Sequence, residues 1–423
     1  MLHKISLVFQ KSLVRNSLWG LLGKGVNIVC QAVYFGIVVR VLGAENYGAF
    51  VAIASLAALI FPFADLGGAD YLIQQVSRDK KIFPAYWGNV LIMVFGASLL
   101  LTFATFFLSP VIFPQDINLI AIFTILLADL TGLAIFTVSA KAFVSHDLLK
   151  NASLLQIFGV AVKLGAAILL ATTITEPTLE KWSYLYLSSA LITGIVGILW
   201  VNKAIGKPKP KISHIPQATR QGVYFSIAQS ANNINSNIDK TMLASMATLQ
   251  ATGIYGAAYK IVEVGSVPIL AMLSASYPKF FQEGTKGIAG CLNLAKKLLP
   301  FAAGYSTVAL FGFLIFAPLI TSVFGEEYTN AVATLRWLAP VPLLGAVQYL
   351  LADTLTGSGF QRTRSAIQVV TALGNVGLNY WLIPLYSWKG AVWATLGSDS
   401  FRVIGMAIAV AWFYSQQKKM TAR

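Results

Sequence analysis

The chain has 423 residues, of which 57% are apolar and 11% are charged, against roughly half and a quarter in an ordinary soluble domain. This composition excludes a water-soluble fold, because apolar runs of about 20 residues, the length that spans a bilayer, recur from end to end. The excess of 31 Lys and Arg over 16 Asp and Glu gives a net charge of +15. We attribute this surplus to membrane orientation and expect no nucleic-acid partner.

Apolar windows predict twelve membrane-spanning helices. In chain order they are Ser17 to Val39, Tyr47 to Ala69, Ala85 to Leu108, Ile117 to Ala140, Ala152 to Ala171, Trp182 to Val201, Gly222 to Leu243, Ile254 to Ser276, Leu298 to Val323, Leu335 to Thr356, Ala366 to Leu385 and Gly390 to Phe413. Interior prolines such as Pro62, Pro268 and Pro318 are expected to kink their helices rather than end them.

A basic connection containing three prolines divides the spans into two sets of six. We therefore predict an all-α polytopic membrane protein with two pseudo-symmetric six-helix lobes around a central cavity: lobe 1–202, connection 203–221 and lobe 222–423. The segment Leu42 to Ala49 resembles Gln250 to Ala257, as expected of a parallel repeat. Chance similarity between two apolar segments is the alternative.

Basic residues lie mostly in alternate loops. Twenty-two of the 31 fall on the side of the N-terminus, whereas only Arg40, Lys181 and Lys389 fall in the opposite loops. The bias predicts that both termini and the connection face the cytoplasm.

No catalytic, cofactor or metal motif is apparent. The segment most similar in sequence to a phosphate-binding loop, Gly20 to Gly25, lies inside a span. The three histidines, His3, His146 and His214, form no metal-ligand cluster. Cys30 and Cys291 lie at different expected depths and imply no disulfide. We expect neither an enzyme nor a bound cofactor or metal.

Polar and charged residues inside the spans carry the functional signal, since each charge there costs about 2.5 to 3.5 kcal/mol. Helical spacing places several of them on shared faces. They are Lys24, Asn27 and Gln31 in the first span, Asp65 in the second, Asn233, Ser236, Asp239 and Lys240 in the seventh, and Tyr259, Lys260 and Glu263 in the eighth.

These spans occupy equivalent places in the two repeats, so their polar faces are expected to meet at one cavity. Lys24, Lys240 and Lys260 would make that cavity cationic and suited to an anionic headgroup such as pyrophosphate. The alternative is structural ion pairing, for example Lys260 with Glu263 or Lys24 with Asp65.

Other polar residues favour structural roles. Asp129 and Lys163 are expected to neutralise each other, and Asp399 and Arg402 could pair along one face. Charged residues near span ends are expected to reach the interface: Arg336, Asp353 and Asp70. Tryptophans near span ends are expected to form an interfacial belt: Trp87, Trp182, Trp337, Trp388 and Trp412.

Several short segments in a characteristic order resemble polysaccharide flippases of the Wzx type, within the multidrug/oligosaccharidyl-lipid/polysaccharide exporter superfamily. The segments are Arg40 to Gly48, Asp65-Leu-Gly67, Arg78, Phe324 to Tyr328, Leu335-Arg336, Gly357 to Gln361, Asn375 to Pro384 and Gly390-Ala391. The resemblance covers nearly the whole chain, although each piece alone is weakly specific.

The resemblance implies movement of undecaprenyl-pyrophosphate-linked oligosaccharide, for O-antigen or a related polysaccharide, from the cytoplasmic to the periplasmic leaflet of the bacterial inner membrane by alternating access. Lys24, Lys240 and Lys260 would then hold the pyrophosphate, while Asn27, Gln31, Asn233, Ser236 and Tyr259 would line the sugar cavity. It also implies ion or proton coupling, for which position alone suggests Asp65, Asp239 and Glu263. Partners would be membrane lipids and the polysaccharide polymerase and chain-length regulator.

Three other classes compete with this interpretation. A multidrug or cation antiporter of the same superfamily predicts an acidic site with few lysines in the cavity. A membrane-embedded glycosyltransferase or polymerase needs large catalytic loops, whereas the loops here are short and basic. A membrane scaffold leaves the polar faces of the first and seventh spans without a purpose.

Overall fold

The computed structural model describes residues 2–113 and 117–421. Side chains are described from Gly25 onward, except those of residues 214, 217, 221, 224, 225, 228, 231, 232, 420 and 421. Across this described part the secondary structure is helical and contains no strand. This confirms the predicted all-α class.

Fifteen α-helices make up the described chain. They are α1 (Leu2–Ile60), α2 (Gly68–Val76), α3 (Phe83–Ile112), α4 (Leu119–Leu127), α5 (Leu133–Ser145), α6 (Leu149–Thr173), α7 (Leu179–Ala204), α8 (Ile215–Met246), α9 (Leu249–Gly284), α10 (Ile288–Phe316), α11 (Leu319–Phe324), α12 (Thr329–Leu338), α13 (Val341–Gly357), α14 (Gln361–Tyr386) and α15 (Trp388–Thr421). A π-helical turn, Ala128–Gly132, joins α4 to α5.

Ten segments of the described chain are long and apolar enough to cross a membrane. One of them, Gly25–Phe63, has 39 residues and covers most of the first two predicted spans. The seventh predicted span lies in α8, which has 32 residues but is too polar to be counted among the ten. The number of spanning helices is therefore about twelve, as predicted, in a multi-pass membrane protein.

The first two spans are separated at Gly43, which interrupts α1. Gly43 has φ 70° and ψ 173°, a conformation that residues with a Cβ rarely adopt. The break frees the backbone N–H of Ala44, which donates to the Glu327 carboxylate at 2.9 Å. A carboxylate is a favourable partner at this point because the first N–H groups of a helix lack intrahelical acceptors.

Prolines act differently at the three positions considered from sequence. Pro268 lies inside the continuous helix α9, as expected of a tolerated interior proline. The prediction was wrong for Pro62 and Pro318, because α1 ends at Ile60 and α10 ends at Phe316, just before these residues. A proline has no N–H to donate to the preceding turn, so a helix can end there when other groups satisfy the freed carbonyls.

The chain divides into two compact units, which we describe separately. Unit 1 contains residues 1–42 and 53–233, and unit 2 contains residues 43–52 and 234–423. The core of unit 1 includes Leu72, Phe83, Trp87 and Phe143. That of unit 2 forms around α9, α10 and α13, with Ile269, Phe280, Cys291 and Leu350 fully or almost fully buried.

Two tryptophans assigned to the interfacial belt lie instead inside unit 1. Trp87 and Trp182 are completely buried. The Trp87 indole N–H donates to Asn202 Oδ1 at 2.9 Å, and the Trp182 ring packs 5.9 Å from the Tyr34 ring. Protein side chains, and not the membrane interface, surround these two tryptophans, whereas Trp337 and Trp412 are exposed.

The prediction that Asp353, near a span end, reaches the membrane interface was also wrong. Its side chain is buried, with the carboxylate 3.7 Å from the Arg364 guanidinium. The ion pair with a neighbouring helix supplies the countercharge, so the carboxylate has no need to reach the interface.

Candidate functional site

Unit 2 contains a buried charged network built on α8. Helical spacing brings Ser236 and Lys240 to one face of α8, with Asp239 on its flank. Asp239 and Lys240 are 2% and 6% exposed. The Lys240 ammonium lies 3.4 Å from Asp239 Oδ1 and also donates to the Ser236 carbonyl oxygen. These contacts compensate both charges inside the unit.

Two tyrosines of α9 complete this network. The Tyr255 hydroxyl donates to Asp239 Oδ2 and lies 2.9 Å from Thr395 Oγ1. Tyr255 and Tyr259 are one helical turn apart and stack with ring centroids 5.7 Å apart. The Lys240 ammonium lies over the Tyr259 ring, 3.9 Å from its centroid, a cation–π geometry.

The next turn of α9 carries the pair formed by Lys260 and Glu263. Lys260 Nζ lies 2.9 Å from Glu263 Oε2, and both side chains are about two-fifths exposed. The structure therefore contains the ion pair that the sequence left as an alternative to substrate binding. Because the pair is accessible, another anion could still approach the Lys260 ammonium.

Unit 1 contains a cavity of about 760 Å³, a volume typical of ligand pockets. Its polar lining comes from three helices: α2 contributes Asp70 and Gln74, α5 contributes Thr137 and Lys141, and α8 contributes Ser226, Gln229 and Asn233. Asp65 and Phe61 line it from the segment between α1 and α2. Spacings of three and four residues explain why each helix presents its polar residues together.

Two side chains of this cavity, those of Asp65 and Asn233, form hydrogen bonds with backbone groups at the ends of helices. Asp65 accepts the backbone N–H groups of Gly67 at 3.0 Å and Ala69 at 3.2 Å, so its carboxylate caps α2. The Asn233 amide donates at 2.7 Å to the carbonyl oxygen of Ala58, in the last turn of α1. The break between α1 and α2 thus positions both side chains at the cavity.

Lys141 supplies the ammonium group of the described cavity lining. Its Nζ lies 2.8 Å from Asp70 Oδ1. In the sequence, Lys141 directly follows the fourth predicted span and Asp70 directly follows the second. In the structure α5 continues to Ser145, and the two partly exposed side chains form an ion pair within unit 1.

The residues predicted to share one site are distributed over both units. Unit 2 brings together Ser236, Asp239, Lys240 and Tyr259, with Lys260 and Glu263 one turn further along α9. The unit 1 cavity brings together Asp65 and Asn233. On α1, Asn27 is half-buried and Gln31 is exposed, and neither is among the described residues that line the cavity. The side chain of Lys24 lies outside the described part of the chain.

Sequence reasoning missed Tyr255, Thr395, Asp70 and Lys141. Tyr255 could have been found from its position one turn before Tyr259, because aromatic residues four apart share a helix face. The pairing of Asp70 with Lys141 had only a weak signal, namely opposite charges near the ends of two spans. Thr395 had none, since nothing in sequence links it to α9.

A second buried polar chain in unit 1 brings Asp129 close to Lys163, the pair that the sequence predicts to neutralise each other. Asp129 lies in the π-helical turn, and the Tyr186 hydroxyl donates to its Oδ1 at 2.5 Å. The Lys163 ammonium lies 3.3 Å from that hydroxyl and 4.7 Å from the centre of the Tyr186 ring. The Tyr186 hydroxyl thus lies between the two charged groups, and their proximity agrees with the expected neutralisation.

Metal-binding geometry is not seen in the described residues, where no three His, Cys, Asp or Glu side chains could jointly hold an ion. His146 follows α5, and its ring packs edge-on against Phe83 at 4.7 Å. Burial lowers the pKa of His146. This favours the neutral imidazole at pH 7.

Comparison with known proteins assigns the chain to a family. The family model described as "Polysaccharide biosynthesis protein" matches residues 13–283, which is more than half of the chain. The chain belongs to this family. A curated relative, the teichuronic acid biosynthesis protein TuaB of Bacillus subtilis (strain 168), is 26% identical over 206 residues. That match covers 46% of this chain and 36% of TuaB.

Solved structures agree with the family in fold. An inward-facing multidrug resistance MATE family transporter of the MOP superfamily has a TM-score of 0.74 and 15% identity, covering 93% of this chain and 96% of that chain. The lipid II flippase MurJ in an inward closed conformation has a TM-score of 0.75 and 11% identity, covering 94% and 87%. These likenesses and the family match confirm the resemblance inferred from sequence.

Proposed function

We propose that the protein moves undecaprenyl-pyrophosphate-linked oligosaccharide repeat units, of O-antigen or a related surface polysaccharide, from the cytoplasmic to the periplasmic leaflet of the bacterial inner membrane. Membership of a polysaccharide biosynthesis family, in a chain built of membrane-spanning helices, carries this proposal. The mechanism is alternating access coupled to an ion or proton gradient, and the protein makes or breaks no covalent bond of its cargo.

The physical need for such a protein supports the proposal. A glycan and a pyrophosphate cannot cross hydrocarbon unaided, because each unpaired polar group costs several kcal/mol there. Polar side chains in both units can replace water around the headgroup, while the polyprenyl chain stays in lipid. The cavity of unit 1 and the charged network of unit 2 are such environments.

Among the lysines proposed to hold pyrophosphate, Lys260 is the most accessible of those described, with 42% of its side chain exposed. If a phosphate oxygen took the place of the Glu263 carboxylate beside Lys260, the Lys260 ammonium would still have an anionic partner. Lys240 is buried, with its ammonium against the Tyr259 ring, so it would reach phosphate only after neighbouring side chains move. Lys24 stays in the proposal from its sequence position.

The remaining roles are proposals of the same kind. Asn27, Gln31, Asn233, Ser236 and Tyr259 would contact sugar, since amide and hydroxyl groups both donate and accept hydrogen bonds. Asp65, Asp239 and Glu263 would take part in ion coupling. All three carboxylates are engaged by neighbouring donors, and that of Glu263 remains partly exposed.

Deletion of the gene tests the function. We expect loss of surface polysaccharide together with accumulation of lipid-linked repeat units on the cytoplasmic leaflet, restored by the wild-type gene. Lys260→Ala should complement poorly, whereas Lys260→Arg should complement because it retains a cation. Both variants must first be shown to be inserted in the membrane.

One outcome would contradict the proposed function, and another would contradict only the proposed pyrophosphate site. Unchanged polymer with increased sensitivity to cationic drugs would identify a multidrug or cation antiporter instead. Intact transport after charge removal at Lys24, Lys240 and Lys260 together would rule out the pyrophosphate site but leave the flippase function standing.

A further inference from the structure

The charge balance of the unit 1 cavity is opposite to what a pyrophosphate requires. Its described lining carries two carboxylates, Asp65 and Asp70, and one ammonium, that of Lys141. Lys141 is already paired with Asp70 at 2.8 Å. An entering pyrophosphate would meet a neutralised cation and an additional negative charge, so like-charge repulsion disfavours it.

The uncharged polar groups of the cavity suit a ligand rich in hydroxyl groups. Gln74 and Gln229 carry amides, and Thr137 and Ser226 carry hydroxyls, on three different helices. Each of these groups can donate and accept, as sugar hydroxyls do. Phe61 also lines the cavity, and an aromatic side chain can offer an apolar surface to the C–H face of a pyranose.

Ser226 provides an independent indication of a ligand. It lines the cavity on α8 and is 1% exposed, yet its hydroxyl has no hydrogen-bond partner among the described residues. Buried polar groups are nearly always hydrogen-bonded. A hydroxyl group bound at this end of the cavity would supply the missing partner.

We propose that the unit 1 cavity binds the uncharged sugar portion of the transported lipid-linked substrate and excludes its pyrophosphate. This inference rests on the proposed function, and it adds which part of the substrate the cavity takes. The pair of Asp70 with Lys141 then acts as a selectivity element. Asp70 neutralises the ammonium that would otherwise attract phosphate, while both side chains keep polar atoms at the cavity surface.

Thiol labelling of the full-length protein in membrane vesicles tests the inference. Ile73 lines the cavity through an apolar side chain, so Ile73→Cys places a thiol there without removing a polar group. The native thiols are removed by Cys30→Ser and Cys291→Ser. We expect maltotetraose, a neutral oligosaccharide, to slow labelling by N-ethylmaleimide in a concentration-dependent manner, and inorganic pyrophosphate to leave the rate unchanged.

Asp70→Asn supplies the decisive comparison. With its partner uncharged, the Lys141 ammonium becomes available, and pyrophosphate should now protect the introduced thiol with an affinity at least about tenfold higher than before. Addition of Lys141→Gln should abolish this gain. If Ile73→Cys fails to insert, Thr137→Cys on α5 serves as the second reporter.

Protection by pyrophosphate in the protein that retains Asp70 would overturn the inference, as would protection by neither probe. So would an Asp70→Asn variant that gains no affinity for pyrophosphate. Labelling reports binding, whereas the deletion experiment reports transport. Trapped lipid-linked units without sugar protection would therefore reject the inference alone, and protection without trapped units would reject the proposed function.

Discussion

At the scale of single residues, Asp239 shows how a charge is kept inside a membrane protein. Its carboxylate accepts the Tyr255 hydroxyl and the backbone N–H of Lys240, the latter at 2.8 Å, and lies beside the Lys240 ammonium. Buried carboxylates are tolerated when hydrogen bonds and a countercharge replace water. The network therefore has a structural role whatever it does in transport.

Removal of the Tyr255 hydroxyl should destabilise unit 2. Tyr255→Phe leaves one oxygen of Asp239 and the Thr395 hydroxyl short of a partner, a loss of about 1–3 kcal/mol. We expect a lower midpoint of thermal unfolding in detergent. The matched control is Tyr259→Phe, which retains the ring beneath Lys240. Equal midpoints for the two variants would contradict this role of Tyr255.

The sequence indicated part of this network and not the rest, for a physical reason. Ser236, Asp239 and Lys240 could be grouped because helical periodicity is local. Tyr259 and Lys260 could be added because the eighth span has its own polar face. The hydrogen bond from Tyr255 to Asp239 depends on how α9 packs against α8, and periodicity carries no information on that packing.

At the scale of helices, the first part of α9 packs closely against the chain that follows Gly43. A Cβ on Gly48 would lie 1.8 Å from the Leu249 carbonyl oxygen, and one on Gly253 would lie 1.9 Å from the Ala44 carbonyl oxygen. Small residues let helix backbones approach in this way in membranes. These glycines are thus required for the crossing inside unit 2.

Gly48→Ala should therefore destabilise the protein, because the added methyl cannot be accommodated without moving a backbone carbonyl. Gly36→Ala is the control within the same helix, since a Cβ there meets nothing within 4 Å. The control should be neutral or stabilising by up to about 1 kcal/mol, as alanine is the better helix former. Thermal unfolding measures both, and a Gly48→Ala midpoint equal to or above that of Gly36→Ala would refute the close crossing.

The helix boundaries illustrate which elements sequence can place. All twelve predicted spans correspond to helices, because a long apolar run in lipid must satisfy its backbone internally. The interruptions at Ile60, Phe316 and Ala128–Gly132 were not predicted. Each depends on whether neighbouring groups satisfy the backbone atoms that the break releases, as the Asn233 amide does for Ala58.

At the scale of the whole molecule, the distribution of basic loops predicts the orientation in the membrane. With an even number of spans, both termini should be cytoplasmic. A green fluorescent protein fused after Arg423 should fluoresce, whereas alkaline phosphatase fused there should be inactive. Alkaline phosphatase inserted in the loop between α6 and α7, residues 174–178, should be active.

The opposite pattern at both positions would show that the protein is inserted in the opposite orientation. Activity of alkaline phosphatase at both positions would instead require an even number of spans between them, in place of the seven predicted. An inverted orientation would also reverse the leaflet from which the proposed substrate enters, so the topology and the direction of transport are tested together.

The amino-acid sequence by itself determined the class of protein, the number of spanning helices and the polar face of each. These properties follow from composition and from local periodicity, which act within a single helix. Only the tertiary structure decided which polar faces acquire partners: Tyr186 between Asp129 and Lys163, Asp70 beside Lys141, and Tyr255 on Asp239. Such pairings join residues far apart in the chain, and the packing that selects them is not encoded in any local pattern.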